Sequence, residues 1–270
     1  MANKTTESFF DAPAVAIITG ASRGIGRAIA IEFAKRFTNR LLLVLTGRSE
    51  KGLQETAAKI RADGDQGTIE GVIEDLFKGI APGTYGHALL VNNAASSGDV
   101  SKYVRDWDTT AMKTIENYLS FNVISPLLLI SKFLSSFPNS KLDNLDRNST
   151  TMRRTIVQLT SMSAVLPTEC MSLYCAGKAA REMLHNVTAL EEPGIRVLNY
   201  AKGPVDTAML NHLKENTASS KTTELITKSM EIAVSPEKTA SVLCGYLKQD
   251  EYESGSRIDL FDIIGFPKSE

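Results

Sequence analysis

A glycine-rich turn, TGASRGIG, joins a short apolar run to an amphipathic stretch near the start of the chain. The run AVAIIT at 14–19 predicts a buried strand, and the apolar spacing over 24–37 predicts a helix. Such a turn suits a phosphate, because free backbone N–H groups and the helix dipole point at it. Its spacing, G-x-x-x-G-x-G, differs from the G-x-G-x-x-G fingerprint. The prediction of a nucleotide site therefore depends on the strand–turn–helix context.

Apolar runs and amphipathic stretches alternate along the whole chain, which is typical of a parallel sheet covered on both faces. Residues 138–154 are rich in turn formers and predict a surface loop that includes Arg153 and Arg154. The pattern predicts an α/β fold in which residues 1–270 form a single doubly wound domain with a mostly parallel, seven-stranded sheet. Strands are predicted at 14–19, 41–47, 68–76, 87–94, 155–161, 195–201 and 257–262. Helices are predicted at 24–37, 50–62, 108–137 (irregular near Pro126), 172–192 and 236–248, with helical patches in 206–234.

Composition excludes several classes of function. The net charge is −1, so no bulk field attracts nucleic acid or an anionic membrane. No run approaches the ~20 apolar residues of a membrane span, and no signal peptide is evident. Three cysteines without a C-x-x-C pair favour free thiols in a reducing compartment, so we expect a cytoplasmic protein. His87, His185 and His212 lack ligand spacing, and no metal site is predicted.

The residues after the second strand indicate which dinucleotide would bind. An acid at this point holds the ribose 2′-OH of NAD, whereas an arginine accommodates the 2′-phosphate of NADP. This chain has Arg48 and Ser49 there, with no acid before Glu50, and Arg23 in the glycine turn can approach the same phosphate. These residues favour NADP(H). Three further residues at strand ends are expected beside the cofactor: Asp75, Leu76 and Asn93.

Tyr174 and Lys178 lie four residues apart in a predicted helix, so both side chains share one face. A phenol is a weak acid with an unperturbed pKa of about 10, and a nearby ammonium favours its phenolate. The pair is therefore a candidate proton source for a carbonyl that receives a hydride. On its own the pattern is weak, since an exposed helix face can show it by chance.

The motifs TGASRGIG, NNAA at 92–95 and YCAGK at 174–178 occur with Asn122 and Ser161 in the order and spacing of the short-chain dehydrogenase/reductase family. The resemblance covers nearly the whole chain and implies a Rossmann-type fold. It implies that Ser161 binds the substrate carbonyl and that Tyr174 donates the proton. It also implies that Lys178 binds the nicotinamide ribose and lowers the Tyr174 pKa, while Asn122 holds a proton-relaying water.

The same resemblance implies a cofactor site made of the glycine turn, the strand ends and a segment that closes over the nicotinamide. Its expected residues are Gly20, Ala21, Ser22, Arg23, Gly24, Ile25, Gly26, Arg48, Ser49, Asp75, Leu76, Asn93, Lys178, Val205, Asp206, Thr207, Ala208, Met209 and Leu210.

Within the family, segments such as SLYCAGKAAREML and SGSRIDLFD resemble those of the pterin-reducing members. This implies NADPH-dependent reduction of a pterin side-chain ketone in the final steps of tetrahydrobiopterin synthesis. It further implies that Asp259 anchors the pterin, since a carboxylate accepts two hydrogen bonds from its flat donor edge. The backbone around Met162 and Gly203 is expected to line the same pocket. A homodimer through the helices at 108–137 and 172–192 is also implied.

Two other functions remain open: a broad-specificity NADPH reductase of ketones and small dicarbonyls, and a catalytically inactive NADP-binding regulator. Asp259 separates the first from a pterin reductase, because a small apolar ketone gives a carboxylate nothing to bind. The retained Asn122, Ser161, Tyr174 and Lys178 argue against the second. The chain departs from the family at Lys202, where a proline is usual, and at Ala95, where a glycine is usual.

Overall fold

The computed structural model describes residues 9–62, 80, 84–138 and 152–267. Within them, six parallel strands form one sheet in the order β2-β1-β3-β4-β5-β6. The parallel α/β architecture is confirmed, and the predicted strand at 68–76 lies outside the described residues. The strands are β1 (Ala14–Thr19), β2 (Leu41–Thr46), β3 (His87–Asn92), β4 (Arg153–Thr160), β5 (Arg196–Ala201) and β6 (Arg257–Asp259).

Nine helices are described besides short 3₁₀ turns. They are α1 (Gly24–Arg36), α2 (Glu50–Ala62), α3 (Met112–Leu119), α4 (Ser125–Ser136), α5 (Ser172–Glu191), α6 (Ala208–Asn216), α7 (Ser220–Glu231), α8 (Pro236–Gln249) and α9 (Leu260–Ile264).

Hydrophobic cores lie on both faces of the sheet, because side chains of successive strand residues point to opposite sides. One core joins Ile18 and Leu43 of the strands to Phe33 of α1 and Leu243 of α8. The other core joins alternate residues of the same strands, such as Ile17, to the helix α4. Both faces are therefore covered, as the apolar strand sequences predict.

The order of the strands determines where a ligand can bind. β1 lies between β2 and β3, so the chain leaves β1 toward one side of the sheet and later returns on the other. In open parallel sheets, ligands bind outside the carboxyl ends of the strands at such a switch point. The glycine turn follows β1 at this point.

Several predicted boundaries shift, among them that of β3, which ends at Asn92 rather than at residue 94, and two of the shifts have a physical cause in side-chain hydrogen bonds. Arg153 and Arg154 belong to β4 rather than to a loop. Arg154 is buried within this strand. Its guanidinium can be buried because it donates to the Phe137 carbonyl (3.2 Å) and to Glu192 (3.3 Å). The last strand ends at Asp259, not at residue 262, because the Asp259 carboxylate caps α9 by accepting from the Phe261 N–H (3.1 Å).

The predicted irregularity near Pro126 is a π turn at Ser120–Ile124, between α3 and α4. Proline has no N–H and so removes one backbone hydrogen bond from the helix, and a π turn can accommodate the missing bond without ending the helix. By length and composition alone, the helical run Thr109–Ser136 could cross a membrane, contrary to the expectation from sequence. Its Leu129, Ile130 and Phe133 are buried in the core beneath the sheet, and core helices pass the same test.

Candidate active site

The side chain of Thr19 joins the carboxyl ends of β1 and β3. Its Oγ1 donates to the Val91 carbonyl (3.2 Å) and accepts from the N–H groups of Asn93 (3.0 Å) and Ala94 (2.9 Å). The Asn93 amide donates back to the Thr19 carbonyl at 2.8 Å. The segment after β3 is thereby held directly against the glycine turn.

Two glycines of the turn are required by its geometry. Gly20 has a φ of 69°, and a Cβ on Gly26 would lie 2.5 Å from the Gly20 carbonyl oxygen. Gly24 also has a positive φ, 55°, yet a Cβ there would meet only Thr207, at 3.8 Å. The start of α1 is thus open toward the cleft, as a helix N-terminus that binds a pyrophosphate must be.

Arg27 braces the turn from the side of α2. Its guanidinium donates to the carbonyls of Ser22 (2.5 Å) and Gly52 (3.1 Å), and its Nε donates to Thr56 Oγ1 (3.0 Å). Thr56 in turn donates to the Ala21 carbonyl at 2.9 Å. These bonds satisfy carbonyl oxygens of the turn and fix its shape. The sequence analysis missed Arg27, although it is the one cation on the first turns of α1.

Arg23 and Arg48 both line the cleft and both are exposed. Within the described part of the chain, neither forms an ion pair. The Arg48 guanidinium lies 5.9 Å from the centroid of the Phe121 ring, which also lines the cleft. Two cations without carboxylate partners flank the end of β2, where a 2′-phosphate would bind.

Tyr174 lies in the first turn of α5 and is only 4% exposed. Burial raises the pKa of its phenol, while a hydrogen bond with Ser161 and the charge of Arg181 lower that pKa. A phenol of ordinary pKa already keeps its proton at neutral pH, so the contacts that favour proton donation are those with Ser161 and Arg181, which oppose the effect of burial. Ser161 follows β4 and its Oγ accepts from the Ser163 N–H at 3.2 Å. The structure therefore brings Ser161 and Tyr174 together.

Lys178 is buried one helical turn after Tyr174, with its Nζ 5.7 Å from the Tyr174 ring centroid. Its ammonium donates to the Leu159 carbonyl at 2.8 Å. Burial lowers the pKa of Lys178 well below its ordinary value, and the charges of Arg181 and Lys202 lower it further, while Glu182 raises it. The role expected for Lys178 stays a prediction.

Asn122 lies in the π turn and is buried behind the cleft. Its side-chain oxygen accepts from the Ser96 N–H at 2.9 Å, and its amide donates to the Tyr118 carbonyl at 3.0 Å. The π turn directs this side chain inward, toward the segment after β3. Its expected water-holding role stays a prediction.

The far end of the cleft is formed by the ends of β5 and β6. Asp259, Gly203 and Lys202 line it there, with Met162 on the opposite wall. Arg257 joins the two walls, donating to the Ser161 carbonyl (3.1 Å) and to Glu182 (2.7 Å). Arg257 thus links Ser161 to β6, the strand that ends at Asp259, the candidate substrate anchor.

One cleft of about 2180 Å³ contains nearly all of these groups. A pocket for one drug-sized ligand has about 300–1,000 Å³, so there is room here for a dinucleotide and a substrate together. Ala21, Gly26 and Asn122 are buried behind the cleft wall instead of lining it. Asp75 and Leu76 lie outside the described residues. The predicted residues that line the cleft are Gly20, Ser22, Arg23, Gly24, Ile25, Arg48, Ser49, Asn93, Ser161, Met162, Tyr174, Lys178, Gly203, Val205, Asp206, Thr207, Ala208, Met209, Leu210 and Asp259.

Arg181 is the principal residue that the sequence analysis missed. It is 1% exposed and donates to the carbonyls of Ala94 (2.6 Å) and Asn92 (2.9 Å) and to the Gln158 side chain (3.1 Å). Burial lowers its pKa to about 10. Its position, seven residues after Tyr174, places it on the same helix face, and this spacing could have identified it.

The strand order, the glycine turn and the Tyr174–Lys178 pair define a dinucleotide-binding reductase of the α/β class. The short chain dehydrogenase family matches residues 14–218, and the chain belongs to that family. It is therefore an oxidoreductase. Sepiapterin reductase of Mus musculus is 35% identical over 268 residues, covering 92% of this chain and 97% of the mouse protein. Sepiapterin reductase of Xenopus laevis is also 35% identical, over 91% of this chain and 95% of that protein.

Solved structures of other reductases share the fold. The KRED1-Pglu enzyme superposes with a TM-score of 0.72 at 21% identity, covering 91% of this chain and 100% of its own. The 3-oxoacyl-(acyl-carrier protein) reductase of Brucella melitensis, in complex with NAD, gives 0.71 at 18% identity over 92% and 95%. The angucycline C-6 ketoreductase LanV with bound NADP gives 0.69 at 20% identity over 91% and 93%.

Proposed function

We propose that this protein is an NADPH-dependent reductase of a pterin side-chain ketone, acting late in tetrahydrobiopterin synthesis. The observation that carries the proposal is Asp259, a carboxylate at the end of β6 in the same cleft as Ser161 and Tyr174. Its carboxylate caps α9, and because a carboxylate has about four acceptor sites, acceptor capacity remains for a ligand. The relatives named sepiapterin reductase, at 35% identity over nearly their whole length, support this choice of substrate.

A nicotinamide dinucleotide would be held by the glycine turn, the end of β2 and the segment from Val205 to Leu210. The open start of α1 fits its pyrophosphate, and the exposed Arg23 and Arg48 fit the 2′-phosphate of NADP. When bound, this cofactor supplies the hydride. Related folds bind either dinucleotide, so the proposal of NADP depends on these two arginines.

The chain's own residues supply orientation and a proton. Ser161 hydrogen-bonds the carbonyl oxygen of the substrate, and Tyr174 donates its phenolic proton to that oxygen as negative charge develops there. The phenol is protonated at neutral pH, and the Ser161 hydrogen bond and the Arg181 charge, which lower its pKa against the effect of burial, favour release of that proton. Lys178 lies beside the Tyr174 ring, and after each turnover it would pass the phenol a proton that comes from solvent through a water held by Asn122.

A second enzymatic function, broad reduction of small dicarbonyls, is favoured by the volume and openness of the cleft. The decisive experiment is NADPH oxidation with sepiapterin compared with a panel of simple ketones and diketones. A kcat/KM for sepiapterin at least tenfold above every other substrate supports the pterin assignment. Equal values would assign a general carbonyl reductase, and no turnover with any carbonyl would favour an NADP-binding regulator.

We also propose a homodimer built on α4 and α5. These helices expose apolar side chains, including Ile124 and Leu128 (64% exposed) near α4, and Met183 and Leu190 (82% exposed) on α5. An exposed apolar patch of this kind marks an interaction surface, and a second copy presents the same helices. Sedimentation of the native chain and of Leu128→Glu tests this: we expect a dimer that the variant splits into monomers.

A further inference from the structure

Lys202 lies at the substrate end of the cleft, directly after β5. Its carbonyl accepts from Thr239 Oγ1 (3.1 Å), and the next residue, Gly203, has a φ of 68°. A Cβ on Gly203 would lie 2.8 Å from the Leu260 side chain. The backbone at Lys202 is thus fixed from two sides, by α8 and α9. Its side chain lines the cleft and is partly buried.

The Lys202 ammonium has few partners. Within the described residues, its one hydrogen bond is a long contact of 3.4 Å with the Gly203 carbonyl. An ammonium has three N–H donors, and a cation out of water normally pairs with a carboxylate. No described carboxylate lies within 4.0 Å of it. Donor capacity therefore remains for a molecule in the cleft.

The cation is near both the catalytic group and the candidate anchor. Burial lowers the pKa of Lys202 to about 8, and the Asp259 charge partly offsets this by raising it. Lys202 in turn lowers the pKa of Lys178. Asp259 thus lies close enough to interact with Lys202, but the two do not form an ion pair.

Asp259 and Lys202 present complementary groups to one ligand edge. The Asp259 carboxylate accepts at the start of α9, from the Phe261 N–H (3.1 Å) and in a capping box with Asp262, but a carboxylate has about four acceptor sites, so acceptor capacity remains, and it accepts only. The Lys202 ammonium donates only. Two groups that bind neighbouring atoms of one flat edge must not bind each other instead, and Asp259 and Lys202 form no ion pair with each other.

We infer that Lys202 and Asp259 together recognise a substrate edge on which N–H donors stand beside a carbonyl oxygen. The 2-amino-4-oxo edge of a pterin has this arrangement: Asp259 accepts from its N–H groups, and Lys202 donates to its 4-oxo group. This inference rests on the proposed function and deepens it. It assigns Lys202, where the family usually has a proline, as a specificity-determining residue.

Two ring analogues distinguish recognition by Lys202 from non-specific binding in the cleft. In 2,4-diaminopteridines an amino group replaces the 4-oxo group, so a donor faces the Lys202 donor. The 2-amino group that faces Asp259 is kept, while the ring N3–H that a pterin also offers to Asp259 is lost. Wild-type protein should therefore bind 6-methylpterin more tightly than 2,4-diamino-6-methylpteridine. A charge-assisted hydrogen bond makes this preference roughly tenfold or more.

The test is a fluorescence titration of both pteridines into the NADP⁺-saturated protein at pH 7, for the wild type and three variants. Lys202→Met should weaken 6-methylpterin binding about tenfold and reduce the preference by the same factor, leaving only the part that the N3–H facing Asp259 contributes. Lys202→Arg, which keeps the charge, should retain it. Lys248→Met, an exposed lysine at the far end of α8, is the matched control and should behave like the wild type. Saturation with NADP⁺ removes any effect of Lys202 on cofactor affinity.

A preference as large in Lys202→Met as in the wild type, or one that is missing from the wild type, overturns the inference. The titration needs no turnover, so it is independent of the activity assay. If the wild type does not reduce sepiapterin, the proposed function fails even where the ring preference is found. If sepiapterin is reduced but Lys202→Met binds both rings as the wild type does, only the role of Lys202 fails.

Discussion

The Arg181 guanidinium donates to the Ala94 carbonyl at 2.6 Å, joining helix α5 to the segment that follows β3. These two residues are 87 positions apart in the chain. The bond sets the height of α5 above the sheet, and with it the position of Tyr174 two turns earlier. A residue that touches neither cofactor nor substrate in the proposed mechanism thereby positions the proton donor.

Replacing Arg181 by methionine should destabilise the fold. The change leaves the Asn92 and Ala94 carbonyls and the Gln158 side chain without their donor, and each buried unpaired group costs about 1–3 kcal/mol. We expect the free energy of unfolding to fall by about 3 kcal/mol or more in urea denaturation. Arg36→Met, on the partly exposed last turn of α1, is the control and should cost much less. A loss below about 1 kcal/mol would show that the hydrogen bonds of Arg181 do not hold α5 in place.

Tyr174→Phe should keep the fold and the affinity for NADPH but lose most of the reductase activity. The phenol is the proposed proton donor, and general acid catalysis is typically worth ~10²–10⁴-fold. Steady-state kcat measures the loss, and NADPH titration by fluorescence checks binding. Tyr246→Phe on α8, away from the cleft, should leave kcat unchanged. Near-normal turnover in Tyr174→Phe would remove Tyr174 from the mechanism.

Arg48→Ala should weaken NADPH far more than NADH, because only NADPH carries the 2′-phosphate. A hydrogen bond to a charged group is worth about 1.5–3 kcal/mol, so KM for NADPH should rise roughly ten- to a hundredfold. Arg40→Ala is the matched control, since Arg40 lies just before β2, at the end of that strand opposite Arg48. Equal changes for both cofactors in Arg48→Ala would mean that Arg48 does not bind the phosphate.

Asp259→Asn should damage sepiapterin reduction severely while leaving reduction of a small diketone within a few-fold. The amide presents a donor where the pterin edge needs an acceptor, and a diketone has no such edge. Asparagine also caps helices, so α9 should keep its capping bond to the Phe261 N–H. The ratio of kcat/KM for the two substrates is the measurement. An unchanged ratio would leave the pterin proposal without its anchor.

Acid should destabilise the protein through two buried histidines. Burial lowers the pKa of both His87 and His185 from 6.5 to about 3. The native state keeps them neutral, whereas the unfolded chain binds protons below pH 6.5. Their contribution to stability is thus fully present above about pH 6.5 and is lost as the pH falls toward 3. Each group should cost about 1.4 kcal/mol per pH unit in that window.

Urea denaturation at pH 7 and pH 5 measures this loss. His87→Gln removes one titrating group and should reduce the difference between the two pH values by about 2 kcal/mol. His212→Gln, at an exposed position on α6, should not change it. A pH dependence that is the same in His87→Gln and in the wild type would show that His87 does not titrate in this way.

The sequence predicted the fold and most of the site because both depend on local pattern. Continuous apolar runs identify the strands of a sheet covered on both faces, and period-3.6 spacing identifies the helices. The carboxyl ends of parallel strands converge at one end of the sheet. Tyr174, Lys178 and the glycine turn are contiguous motifs, so their roles could be proposed without coordinates. Their arrangement in one cleft follows from the strand order alone.

Tertiary structure decided what depends on contacts between distant segments. Strand β6 ends at Asp259 because the carboxylate of that residue caps helix α9. Arg154 can be buried in β4 because Glu192, from a distant part of the chain, accepts a hydrogen bond from its guanidinium. The raised pKa of Tyr174 arises from burial beneath neighbouring elements, which no spacing along the chain encodes. Arg181 and Lys202 are single cations in the sequence. Folding surrounds Arg181 with carbonyl oxygens, and it leaves Lys202 in the cleft with N–H donors that no described residue accepts. Neither environment can be read from the sequence, because burial and charge act through space.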